Sequence, residues 1–194
     1  EDAGRLDDTL VIYASDNGTP GDEKEVVQAP WNPGRSKGSV YEGGVNVPLI
    51  IADGYTYAHG EASPWVKGLG RVVSPGRFET GHVQTMDIFA TAAAIGRADG
   101  SCGVDSVSMV PYLSSAAAAR PRQVTFAETY AAGRWNVAVR NQTHKLIVND
   151  YCGASPTYEL YDLVADRWET TPIPEDGTSA IATDPTRGVT PGRL

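Results

Sequence analysis

At 194 residues the chain is long enough for one domain with its own core, or for part of a larger one. Its hydrophobic share of 41% and charged share of 21% are those of an ordinary globular protein, and no apolar run reaches the roughly 18 residues of a membrane span. A net charge of −8 excludes a nucleic-acid backbone as partner, because that requires a basic face. The sequence opens Glu1-Asp2-Ala3-Gly4 with neither Met nor a signal-peptide pattern, so it reads as an interior segment or a processed chain. Cys102 and Cys152 are too few for a disulfide scaffold and lie in no metal-binding spacing; one disulfide and two thiols both fit.

The first element in chain order is an unbroken apolar, β-branched run, Thr9 to Ala14, and a second follows at Val47 to Ala52. Runs without alternation suit strands buried on both faces, as in a parallel sheet covered by helices. Pro48 fits the second strand only if it opens it. Between them, Gly18 to Gly44 is a long connection rich in Gly, Pro and charge, a length that marks a functional or disordered loop. Residues 53–80 read as loop again. Spacings of three and four among Val83, Met86, Phe89, Ala90, Ala93 and Ala94 predict a helix over 81–96, which Gly96 is placed to stop.

Further on the period changes to two. Trp135, Val137 and Val139 alternate with polar or small neighbours, Asn141-Gln142-Thr143 makes a turn, and His144 to Val148 follows, which is a hairpin signature. With Val124 to Ala127 before it and Tyr158 to Tyr161 after it, a small antiparallel meander is expected. The tail from Pro172 is rich in Pro, Thr and Gly and is expected to be poorly ordered.

Ser15-Asp16-Asn17-Gly18 stands directly behind the first strand. Alone it is a turn signal. Its place at the carboxyl end of a strand is also where α/β sheets bind ligands. Asp16 and Asn17 offer adjacent hard oxygen donors, suited to Ca²⁺ or Mg²⁺ rather than Zn²⁺, though two donors do not complete a site. Lys37, in Arg35-Ser36-Lys37-Gly38-Ser39, is either a solvated loop lysine or an ammonium presented to an oxyanion together with backbone N–H groups.

Taken together, SDNG followed by KGSVYEGGVNVP (residues 37–48) resembles the sulfatase family of the alkaline phosphatase superfamily, whose pattern is S-D-N-G, then K-G-x-x-x-E-G-G-x-x-x-P. Asp87-Ile88-Phe89-Ala90-Thr91 is similar to the family's D-[LIV]-[FM]-P-T helix, with Ala90 in place of Pro. Lys145-Leu146-Ile147 and Glu159-Leu160-Tyr161-Asp162-Leu163 resemble its C-terminal strands. The resemblance runs from about residue 1 to 171.

It implies an α/β fold: the C-terminal half of an alkaline-phosphatase-like sulfatase, forming the edge of a mixed sheet with helices, plus a small C-terminal antiparallel sheet. The expected divisions are 1–119 for the α/β core, 120–171 for the antiparallel subdomain and 172–194 for an irregular tail. By resemblance Asp16 and Asn17 are metal ligands, normally to Ca²⁺, and Lys37 is the catalytic lysine that binds the sulfate group. Sulfuryl transfer rests on positioning and charge stabilisation, which a metal and a cation supply. The implied substrate is an aryl or carbohydrate sulfate ester, the implied location periplasmic or secreted, and the implied partner the N-terminal half or a homo-oligomer. Glu42 is expected to be structural, and Arg35 to act only through electrostatics and loop structure.

The family nucleophile, a formylglycine made within C/S-x-P/A-x-R, has no counterpart. Cys102 and Cys152 both lack the required neighbours, and Thr183 to Arg187 imitates the spacing with the wrong first residue. None of His59, His82 and His144 fills the gap; His59 alone is a candidate for substrate contact. In the family the nucleophile precedes S-D-N-G, so the chain alone is expected to be inactive. A phosphoryl or phosphonate hydrolase on the same scaffold, or a non-catalytic truncated module, are the competing readings.

Overall fold

A computed structural model describes residues 4–22, 30, 32–60, 76–114 and 121–174. By contact the chain forms two units, one of residues 1–17 and 47–125, the other of 18–46 and 126–194. The long connection therefore groups with the C-terminal sheet rather than with the strands it joins. The tail expected from 172 lies almost wholly outside the described residues.

In the first unit, β1 (Leu10–Ala14) and β2 (Leu49–Asp53) pair only with each other among the described residues, in antiparallel register from Leu10 opposite Asp53 to Ala14 opposite Leu49. This corrects the parallel, doubly buried expectation. A parallel return needs a crossover, usually a helix of several turns, and the described part of the connection contains only the 3-10 turn Pro33–Arg35 and the single turn α1 (Glu42–Val45). Burial alternates along both strands, leaving Val11, Tyr13 and Ile50 exposed. Pro48 stands just before β2, where its carbonyl accepts the Ser15 N–H at 3.2 Å.

Part of the expected 53–80 loop is helix. In α2 (Gly54–His59) the Asp53 carboxylate accepts the Thr56 N–H at 3.3 Å and hydroxyl at 2.8 Å, and Gly60 closes the helix with φ +68. Residues 61–75 are outside the described set. The predicted 81–96 helix begins later, as α3 (Asp87–Gly96), because the Asp87 carboxylate takes the Gln84 N–H at 2.8 Å and turns the chain there. It ends in a left-handed Arg97, whose own N–H and that of Ala98 cap the Ala94 and Ala93 carbonyls. A further short helix, α4 (Val110–Ser114), packs against it. Thr91 joins the two segments: its hydroxyl donates to the Asp87 carbonyl at 2.6 Å and accepts the Met109 N–H at 2.8 Å.

The second unit carries the expected meander, in the order β3 (Thr125–Ala131), β4 (Arg134–Arg140), β5 (His144–Asn149), β6 (Thr157–Asp162). The Asn141 side chain makes the β4–β5 turn, accepting the Thr143 and His144 N–H groups at 2.9 and 2.8 Å. One face of the sheet is the core, where Ala138, Ile147 and Tyr161 pack with Val40. Ile147 and Tyr161 are fully buried, each worth about 1.5–3 kcal/mol. Val40 comes from the long connection, and that places the loop with Lys37 on this sheet.

Candidate functional site

Behind β1, the Ser15 hydroxyl donates to the Asn17 carbonyl at 3.0 Å, and the Asn17 N–H to Asp16 Oδ1 at 3.0 Å. The segment is thus a side-chain-stabilised turn, and it leaves Asp16 exposed. Asp16 Oδ2 and the Asn17 side-chain amide make no hydrogen bond among the described residues. A donor pair of carboxylate and amide oxygens fits part of a calcium shell, which takes about six to eight oxygens. No cluster of three or more His, Cys, Asp or Glu able to hold a metal occurs among the described residues, so these two would be a partial set.

In the second unit the residue after Asn17 meets the glycine pair of the other motif. The Gly18 N–H donates to the Gly44 carbonyl at 2.9 Å. A Cβ on Gly18 would lie 1.8 Å from the Gly43 oxygen, so only glycine fits. The Lys37 N–H donates to the Thr19 carbonyl at 3.1 Å, and Gly38 turns the chain with φ +86. Lys37 is exposed, and its ammonium forms no ion pair among the described residues. The glycines of SDNG and KGSVYEGG thus pack backbone to backbone.

The loop is fastened at both flanks. On one side the Arg35 guanidinium lies 4.6 Å from the Tyr41 ring centroid and 5.7 Å from that of Tyr161. The Tyr41 hydroxyl donates to the Glu159 carboxylate at 2.8 Å, joined there by the Tyr161 hydroxyl and by Asn149 Nδ2 at 2.8 Å. Burial, then the Glu159 bond, pushes the Tyr41 phenol up to about 12, and the same causes raise Tyr161. Burial raises Glu159, but the three donors outweigh it and hold the carboxyl below its ordinary value.

On the other flank Glu42 Oε1 lies 3.0 Å from Lys145 Nζ and Oε2 2.5 Å from Arg140 Nη1. The Glu42 N–H donates to Glu169 Oε2 at 2.6 Å, and Glu169 Oε1 faces Lys145 Nζ at 2.9 Å. Burial raises the Glu169 carboxyl against the pull of Lys145. Glu42 is therefore part of a buried ion cluster, which agrees with its expected structural role.

His59 stacks on Tyr55 and pairs with Asp7 at 3.0 Å, His82 is buried, and His144 bonds Thr143 at 2.8 Å. Cys102 and Cys152 are free and exposed. No helix among the described residues is long and apolar enough to cross a membrane.

Residues 1–96, which contain Asp16, Asn17 and Lys37, match the family model described as Sulfatase. That segment belongs to the sulfatase family. Three solved structures share the fold of this chain. BT4656, in complex with its substrate D-glucosamine-2-N,6-O-disulfate, superposes with a TM-score of 0.65 at 20% identity, over 88% of this chain and 31% of that one. Ps i-CgsB gives 0.65 at 23% identity, over 96% and 36%. BT1596, a 2-O GAG sulfatase, gives 0.58 at 18% identity, over 87% and 32%. The chain spans about a third of the length of these structures. No curated protein matches it.

Sequence reasoning left the partners of Glu42 unnamed. The signal was present, because Lys145 shares strand parity with buried Ile147, and a charge on a core-facing position needs a counter-charge.

Proposed function

We propose that this chain supplies part of the active site of a sulfuric ester hydrolase that cleaves carbohydrate sulfate esters. The observation that carries this is the family match over the segment holding Asp16, Asn17 and Lys37. The sulfated-sugar complex of BT4656 and the description of BT1596 support the substrate class. In this reading Asp16 and Asn17 hold part of a Ca²⁺ or Mg²⁺ shell through their side-chain oxygens. The metal would draw charge from the sulfate oxygens, and Lys37 would place its ammonium on the sulfate group to offset charge on the leaving oxygen.

The chain contains no C/S-x-P/A-x-R sequence, so the expected result for these 194 residues alone is no turnover. In the complete protein, Asp16→Asn should lower metal affinity by calorimetry and activity together. Lys37→Ala should reduce kcat about 10²- to 10³-fold while metal binding is unchanged. Sulfate-ester assays in which both variants match wild type would reject the assignment.

A further inference from the structure

Lys37 sits in a loop with little backbone structure of its own. Between the 3-10 turn Pro33–Arg35 and α1 it has local bonds, such as Ser39 N–H and hydroxyl to the Ser36 carbonyl at 3.0 and 2.7 Å, and two single bonds to other segments, Lys37 N–H to the Thr19 carbonyl at 3.1 Å and the Thr129 hydroxyl to the Gly38 carbonyl at 3.2 Å. Segments held by isolated bonds of this kind, outside any ladder or helix, open at low free energy. A catalytic ammonium misplaced by an ångström loses much of its effect. Something outside the loop must fix it.

The route from the sheet to Lys37 can be followed residue by residue. Lys145, with a side chain 1% exposed, bridges Glu42 and Glu169. Glu42 is the first residue of α1, and its N–H and carboxylate are both tied to this cluster. Two residues along, Gly44 is buried, with room for no side chain: a Cβ would lie 2.6 Å from the Ser36 carbonyl oxygen and 2.3 Å from that of Ser39. Those carbonyls stand on either side of Lys37 and Gly38. The Gly44 carbonyl meanwhile takes the Gly18 N–H. A single turn, seated by Lys145, thus bears on the Lys37 loop and on the residue after Asn17.

Stability alone does not account for this cluster. Two carboxylates and two cations close it electrically, but desolvating them costs about as much as their attraction returns, and apolar residues of equal volume would hold the sheet as well. Ions with fixed hydrogen-bond directions do what apolar contacts do not: they admit one seating of α1.

We propose that Lys145 is a positioning residue for Lys37, its buried ammonium bridging Glu42 and Glu169 to seat the 36–46 loop on the C-terminal sheet in one register. The catalytic consequence rests on the sulfatase reading above; the seating does not.

Amide hydrogen exchange on the complete protein tests it. In Lys145→Met, the Gly18, Lys37, Gly44 and Asn46 amides should exchange about tenfold faster or more, while amides of the hydrogen-bonded β5–β6 pair Ile147 and Glu159 stay within about threefold of wild type. Equal acceleration in loop and ladder, or none in the loop, overturns the proposal. If Lys145→Met does not fold, Glu169→Gln decides. It keeps volume and an acceptor for the Glu42 N–H, and the same loop-confined pattern is expected at about threefold or more; unchanged loop amides overturn the proposal. Turnover of a carbohydrate sulfate is the second readout, with kcat reduced, KM little changed and partial recovery in Lys145→Arg. A loosened loop with undiminished turnover would uphold the seating and reject Lys37 as the sulfate lysine.

Discussion

The Asp87 carboxylate receives both arms of the Arg122 guanidinium and the N–H groups of Gln84 and Val107, each N–H at 2.8 Å, in a place where the residue is 1% exposed. Thr91, fully buried, bonds back to the Asp87 carbonyl and forward to Met109. The D-x-x-x-T landmark is therefore a splice between helix α3 and the segment 105–110, not a ligand. Ala90, where the family has Pro, lies in the first helical turn, where an N–H has no helical partner to lose; here it donates to Ser106 at 3.0 Å. Arg122→Leu leaves a buried carboxylate without its cation, so urea denaturation should show a loss of about 3–5 kcal/mol, partly recovered by adding Asp87→Asn. Asp16, Asn17, Lys37 and Glu42 could be named together from the sequence because the motifs that resemble the sulfatase pattern contain them. Arg122 was not, since nothing local says that a cation 35 residues away closes on Asp87.

At the scale of elements, strand existence was readable and strand direction was not. The runs at 10–14 and 49–53 announce themselves by β-branched content, but their antiparallel pairing depends on how the connection between them returns, which composition does not state. Helix α2 was missed although its marks are there, an aspartate cap at Asp53 and Gly60 at the end, because a six-residue helix shows no periodicity. The meander was readable throughout, since a half-buried sheet writes its period of two into the sequence. Strand β6 also carries a pH dependence. Glu159 is held below its ordinary value, so its contribution to stability is complete above the unfolded pKa and is lost as pH falls through the folded one. Denaturation midpoints measured below about pH 4.3 should therefore fall less steeply in Glu159→Gln than in wild type. Glu169 works in the opposite sense, its raised carboxyl favouring the fold at low pH and losing that contribution as pH climbs through the folded value.

For the whole molecule, the exposed strip matters most. Val11, Tyr13 and Ile50 are 49%, 59% and 58% exposed on one face of a two-stranded sheet, where apolar side chains are costly in water. The 194-residue chain by itself should bind a hydrophobic dye and self-associate with rising concentration, and Tyr13→Lys together with Ile50→Lys should reduce both in sedimentation and fluorescence. A chain that stays monomeric and dark to the dye would show that the strip is covered. The discontinuous second unit also bears on how the molecule is made. Glu42 leaves the ribosome long before its partners: Arg140 follows 98 residues later, Lys145 103 and Glu169 127. At about 5–20 residues per second the loop carrying Lys37 waits roughly 6–25 s for Glu169, the last member of its clamp. The loop is synthesised before every member of its clamp, and nascent chains stalled before residue 169 would carry the lysine without its full seat.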